Sequence, residues 1–96
     1  MRVRLSEAAR ADIRAIYREG VERFGPKQGD VYADGLRASI QRLGQFPRSA
    51  PVRAGLRASI RILPYRSHIV LYELDPAGVH VLRIRHGLED WLDSLP

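Results

Sequence analysis

The sequence predicts an α+β fold in which an N-terminal helical hairpin packs on one face of a small antiparallel β-sheet. Apolar residues recur at helical spacing over the first half of the chain, and the period changes to two in the second half. Between two helical stretches lies Phe24-Gly25-Pro26, a sequence typical of a tight turn. A short N-terminal edge strand and a short C-terminal helix complete the prediction. With 96 residues the chain has room for one core, so residues 1–96 are expected to form a single domain.

The first helix is predicted to follow a short edge strand. Charged and apolar residues alternate from Arg2 to Leu5, and Ser6 is suited to cap the helix that follows. Gly25 suits the left-handed position after a helix, and Pro26 suits the first turn of the next one. The predicted apolar stripe consists of Ala9, Ile13, Ile16, Tyr17, Gly20 and Phe24.

The second helix is predicted from Pro26 to Leu43, antiparallel to the first because the connection is so short. Its predicted apolar stripe consists of Tyr32, Leu36, Ile40 and Leu43. Gly44 is expected to end the helix. The segment from Phe46 to Pro51 contains two prolines and is predicted to be a loop.

Three strands joined by short connections are predicted to form an antiparallel meander. Alternation from Leu56 to Leu63 predicts a half-buried strand, which Pro64-Tyr65-Arg66 is expected to break. The apolar segment Ser67–Leu74 predicts a central strand, and Asp75-Pro76-Ala77-Gly78 has the residues of a tight turn. The third strand, Val79–His86, is predicted to place Leu82 and Ile84 on one face and Val79, Val81, Arg83 and Arg85 on the other.

The charge of the chain indicates an acidic partner. The net charge is +5, Lys27 is the only lysine among 16 basic residues, and no acidic residue occurs between Asp34 and Glu73. Such a basic segment would attract nucleic acid or an acidic protein segment. Arg61, Arg83 and Arg85 are expected to share the open sheet face, with Tyr65, Arg66 and His86 nearby. This face is either a platform for phosphates or acidic peptides, or simply a solvated polar face.

No metal or cofactor is expected. The chain has no cysteine and no glycine-rich phosphate loop, and no serine has the setting of a nucleophile elbow. His80 and His86 are too far apart along one strand to ligate a metal together. The absence of cysteine, of a signal peptide and of a spanning segment favours a cytoplasmic protein without membrane contact.

In their order and spacing, the segments along nearly the whole chain resemble the RelE/ParE superfamily of bacterial toxins, in the version found in its ParE branch. The segments that carry the resemblance are Leu5–Ile16, Phe24–Gln28 with Tyr32, Leu43–Pro47, Leu56–His68 with Tyr72, and Val81–Gly87 with Asp90-Trp91. The resemblance implies a helical hairpin on an antiparallel sheet, as the periodicity also predicts. It further implies a growth-inhibiting toxin of a type II toxin–antitoxin system that acts on DNA gyrase. A ParD-like antitoxin would neutralise it, and operator DNA would be bound only through the complex of the two.

The alternative is the activity of the RelE branch, metal-independent cleavage of messenger RNA on the ribosome. That reaction needs cationic groups for the phosphate together with a general base and acid, and its residues here would be Arg61, Arg83, Arg85 and His86. The predicted sheet has no lysine, and Glu89, Asp90 and Asp93 near the C-terminus would repel phosphate. The sequence therefore favours inhibition by binding over catalysis. The residues predicted to bind a partner are Arg57, Arg61, Tyr65, Arg66, Arg83, Arg85 and Trp91.

Overall fold

The computed structural model describes residues 1–53 and 59–87, which form two helices and a four-stranded sheet. In chain order the elements are β1 (Val3–Leu5), α1 (Glu7–Phe24), α2 (Pro26–Arg42), β2 (Arg61–Tyr65), β3 (His68–Asp75) and β4 (Gly78–His86). The predicted α+β class and element order are confirmed within these residues. The predicted C-terminal helix and the start of the predicted strand at Leu56 lie outside the described residues.

The sheet has the strand order β1-β4-β3-β2, with β1 parallel to β4 and the other pairs antiparallel. The sheet is therefore mixed, because the helical hairpin carries the chain from β1 at one edge to β2 at the opposite edge, and β4 then returns beside β1. Strand β3 is central, as its apolar sequence predicts. The two-residue turn after Asp75 forms as predicted, with the Asp75 carboxylate accepting a hydrogen bond from the Ala77 N–H at 2.9 Å.

The helical hairpin forms where the sequence predicts it. Ser6 caps α1, its hydroxyl oxygen accepting a 2.9 Å hydrogen bond from the Ala9 N–H. Gly25 has φ of 88°, a conformation unfavourable for a residue with a side chain, and Pro26 opens α2. The two helices can approach closely because Gly29 lies against Val21, where a β-carbon would come within 2.5 Å of the valine side chain.

The main core lies between the hairpin and one face of the sheet, which we call the helix face. Leu36, Ile40 and Leu43 of the second predicted stripe are buried there. The first stripe is only partly buried: Ala9 and Ile13 reach the core, whereas Phe24 is 69% exposed. The apolar stripe predicted along α1 is therefore buried only in its first half, because the outer half of the hairpin extends beyond its contacts with the sheet.

A β-bulge changes which side chains of β4 face the helices. Leu71 pairs with Arg83 whereas Tyr72 pairs with Val81, so Leu82 is an extra residue on β4. Val79 and Val81 face the helices before the bulge, and Ile84 does so after it. The predicted division of this strand into two faces is therefore wrong, because an extra residue reverses the alternation.

The other side of the sheet, the far face, carries a second small apolar cluster. Ile60, Leu71 and Leu82 are buried there, with Ile62 and Ile69 packed against them. The predicted far face of arginines is thus only partly polar. Pro64 lies within β2, paired with Ile69, so the prediction that it breaks this strand is also wrong. An edge strand tolerates proline because one of its sides has no ladder partner.

No helix in the described part of the chain is long and apolar enough to cross a bilayer.

Candidate partner-binding site

A groove of about 420 Å³ lies between the outer half of the helical hairpin and the sheet end formed by the β2–β3 turn and the end of β4. We call it the hairpin groove. The side chains and backbone that line it come from α1 (Ile16, Glu19, Gly20, Arg23, Phe24), from α2 (Gln28, Val31, Tyr32) and from the sheet (Arg66, Ser67, His68, His86). The groove exists because the hairpin extends past the sheet, leaving apolar residues near its turn without a sheet strand beneath them.

The floor of the groove is a polar network built on Tyr32. Its hydroxyl oxygen lies 2.6 Å from Nδ1 of His68 and 3.4 Å from the carbonyl oxygen of Tyr65. Burial raises the pKa of the Tyr32 hydroxyl above its ordinary value of 10.0. His68 and His86 are cross-strand partners whose ring centroids are 5.4 Å apart. The floor therefore combines aromatic surface with groups that donate or accept hydrogen bonds.

The rim of the groove carries charge on two walls. Arg23 and Glu19 stand one helical turn apart on α1 and approach to 3.5 Å. Opposite them, Arg66 lies in the β2–β3 turn, and its guanidinium lies 5.9 Å from the ring centroid of Tyr65. The groove can therefore receive a ligand with an apolar surface and an acidic group.

The apolar wall is exposed to an unusual degree. Phe24 is 69% and Val31 57% exposed, although both are large apolar side chains and both line the groove. Large exposed apolar patches on small proteins mark interaction surfaces. Sequence reasoning missed this wall because Phe24 fits the stripe predicted to be buried. A usable signal was Val31, an apolar residue outside the predicted stripe of its helix.

The four residues of the RNA-cleavage hypothesis are divided between the two sheet faces. Arg61 pairs with Tyr72 and His86 with His68, both on the helix face. Arg83 and Arg85 pair with Leu71 and Ile69, on the far face. The prediction that Arg61 shares an open face with Arg83 and Arg85 is wrong, because the bulge reverses the alternation of β4.

Two of these arginines make contacts within the fold. Arg83 donates two hydrogen bonds to the Asp12 carboxylate, from Nε at 2.8 Å and from Nη2 at 3.0 Å. Arg61 donates to the carbonyl oxygen of Ala50 at 2.6 Å. Arg83 therefore joins the sheet to α1, and Arg61 joins it to the loop after α2. Both residues were predicted to bind a partner, and these contacts within the fold were not predicted.

The remaining predicted partner-binding residues have different positions. Arg66 lines the groove, whereas Tyr65 lies behind it and packs edge-on against Tyr32 with 5.3 Å between ring centroids. The Tyr65 hydroxyl reaches Gly35, where a β-carbon would collide with it. Arg57 and Trp91 lie outside the described residues. Within residues 1–53 and 59–87, no group of three or more His, Asp or Glu side chains is arranged to hold a metal ion.

Comparison with known proteins identifies one family. Residues 3–91 match the family described as the ParE toxin of the type II toxin–antitoxin system parDE. Toxin ParE1 of Caulobacter vibrioides is 32% identical over 83 residues, which cover 86% of this chain and 85% of that protein. Toxin ParE3 of the same organism is 30% identical over 76 residues, which cover 79% of this chain and 76% of the relative.

The fold has a close counterpart among solved structures. A chain of the chromosomal ParDE toxin–antitoxin system from P. aeruginosa superposes with a TM-score of 0.80. The match covers 90% of this chain and 95% of the other chain. Because the two sequences are only 20% identical, the match shows that the folds are similar and nothing further.

Proposed function

The chain belongs to the family of ParE toxins of type II toxin–antitoxin systems, and from that premise we propose that it inhibits DNA gyrase by binding and is neutralised by a ParD-like antitoxin. Operator DNA would be contacted only through the complex with the antitoxin, and the toxin would act in the cytoplasm, where gyrase works on the chromosome.

The observation that carries this proposal is the separation of the residues that RNA cleavage would need. General acid–base chemistry requires its groups within hydrogen-bonding reach of one bound substrate. Arg83 and Arg85 lie on the far face, whereas Arg61 and His86 lie on the helix face. Arg83 is also bonded to Asp12. A single phosphate and its 2′-hydroxyl would not meet all four, which favours inhibition by binding.

An antitoxin is supported by the chemistry of the hairpin groove. The family is that of toxins from parDE systems, and the superposed chain from P. aeruginosa also comes from a ParDE system. In this chain, exposed apolar side chains and arginines line one groove, and the net charge is +5. An acidic amphipathic segment that folds on binding would match both features.

The test is a gyrase supercoiling assay with the purified protein, titrated with and without the antitoxin encoded beside its gene. We expect inhibition of supercoiling, or accumulation of cleaved plasmid, that the antitoxin reverses. No effect on gyrase at concentrations that arrest growth would refute the proposed target. Cleavage of messenger RNA on ribosomes by the same preparation would then support the nuclease alternative. In that case, the His86→Ala variant should no longer arrest growth.

A further inference from the structure

One rim of the hairpin groove is formed by a residue in an unfavourable backbone conformation. Arg66 has φ of 50°, and it is the only non-glycine residue with positive φ in the described part of the chain. It occupies the two-residue turn between Tyr65 and His68, which pair with each other. Glycine, asparagine or aspartate usually fills such positions, because a larger side chain is strained there. An arginine at this position indicates a use for its side chain other than stabilising the turn.

The guanidinium of Arg66 is held at the surface over an aromatic ring. It lies 5.9 Å from the centroid of Tyr65, whose own position is fixed by Tyr32 and Gly35. Across residues 1–53 and 59–87, no carboxylate pairs with Arg66, in contrast to Arg4 and Arg23. The turn therefore presents a preorganised cation whose planar donor fork is available.

The apolar wall stands across the groove from this cation. Phe24 and Val31 lie on different helices and are 69% and 57% exposed, and both line the same groove as Arg66. Glu19 is the only carboxylate among the described residues that line it, and it already faces Arg23. The charge of the groove thus selects for an acidic ligand, and its apolar wall selects for one with an apolar side.

We propose that the hairpin groove binds an amphipathic helix of the antitoxin, with apolar side chains against Phe24 and Val31 and one carboxylate held by the fork of Arg66. This assignment rests on the proposed function, since it names the place and the chemistry of antitoxin recognition. A paired guanidinium and carboxylate form two parallel hydrogen bonds, which fix the helix in one register along the groove. The strain at Arg66 is then the cost in stability of placing that fork at the turn.

The Arg66→Gly variant distinguishes an effect on folding from an effect on recognition. The substitution removes the backbone strain at this position and also removes the positive charge. We expect the melting temperature of this variant to equal that of the wild type or to exceed it by a few degrees. We expect its affinity for the antitoxin encoded beside the gene, measured by calorimetry with the full-length proteins, to fall roughly 10- to 100-fold. The affinity should also depend less on salt than that of the wild type.

Two further variants complete the experiment. Arg66→Lys keeps the charge without the fork and should show an intermediate affinity. Arg18→Ala removes an exposed arginine of α1 that does not line the groove, and its affinity should match the wild type. The assignment would be overturned if the affinity of Arg66→Gly for the antitoxin stayed within twofold of the wild type. It would also be overturned if this variant lost gyrase inhibition but still bound the antitoxin normally. If the wild-type chain itself fails to bind the antitoxin, the proposed function fails instead.

Discussion

The Asp12 carboxylate attaches α1 to the sheet beyond the end of β1, where none of the described strands lies on the side of β4 opposite β3. It accepts two hydrogen bonds from the Arg83 guanidinium and one, at 2.9 Å, from the backbone N–H of Ile84. Strand β1 pairs with β4 only as far as Val81. Asp12 therefore supplies the acceptor that a longer β1 would have provided, and it satisfies a backbone donor that burial would otherwise make costly.

Replacing Asp12 should destabilise the protein far more than replacing an exposed aspartate. We expect Asp12→Asn to lower the free energy of unfolding by about 2 kcal/mol, because its amide cannot replace the charged partner of Arg83. Asp34→Asn is the matched control: its side chain is 80% exposed and 3.8 Å from Arg37, so a change within about 0.5 kcal/mol is expected. Urea unfolding of both variants measures the difference, and equal losses would contradict this role for Asp12.

At the scale of the elements, the sequence predicts what is determined locally. Ser6, Gly25 and Pro26 delimit the helices because capping and turn chemistry depend on neighbouring residues. The bulge at Leu82 depends on how β4 pairs with β3. The alternation of apolar and polar residues within β4 alone does not contain that information. The same limit applies to the site. The arginines were recognised, but the faces that they occupy follow from the bulge, and the exposed apolar wall follows from how far the hairpin extends.

The hairpin itself offers a comparison between two glycines that face each other. A β-carbon at Gly29 would come within 2.5 Å of the Val21 side chain and 3.0 Å of its backbone nitrogen, whereas one at Gly20 would be 3.5 Å from its nearest neighbour. We expect Gly29→Ala to destabilise the protein by about 1–3 kcal/mol through overpacking. Gly20→Ala should be neutral or stabilising by up to about 1 kcal/mol, because alanine favours the helix.

Thermal unfolding of these two variants measures the effect, and circular dichroism checks that the helix content is retained. Equal behaviour of Gly29→Ala and Gly20→Ala would mean that the helices can separate without cost. The close approach at Gly29 would then not determine the position of Phe24 and Val31.

Across the whole molecule, the first strand and the last turn of the sheet are joined by an ion pair. Arg4 on β1 bonds to Asp75 at the β3–β4 turn. This hydrogen bond from Arg4 is the main reason why the pKa of the Asp75 carboxyl lies below its ordinary value of 3.8. A carboxyl with a lowered pKa in the folded state contributes stability above its ordinary pKa, and this contribution is lost as the pH falls through the folded value.

The pH dependence of stability should therefore differ between the wild type and Asp75→Asn. The asparagine retains an acceptor for the Ala77 N–H but cannot pair with Arg4 as an ion. We expect the wild type to be the more stable protein at about pH 7, and the two urea midpoints to converge as the pH falls below about 3.8. If the difference between the two urea midpoints did not change below about pH 3.8, the ion pair would not be the cause of that difference.

The parallel pairing of β1 with β4 also governs when the protein can become active during its own synthesis. Val3 pairs with Val79 and Leu5 with Val81, so β1 cannot pair until β4 has been synthesised. At about 5–20 residues per second, this delay lasts several seconds. His86 on the groove floor and Arg83, the partner of Asp12, also belong to β4. A nascent chain that stops before β4 should therefore be harmless to its host, since neither the sheet nor the groove can be completed without it.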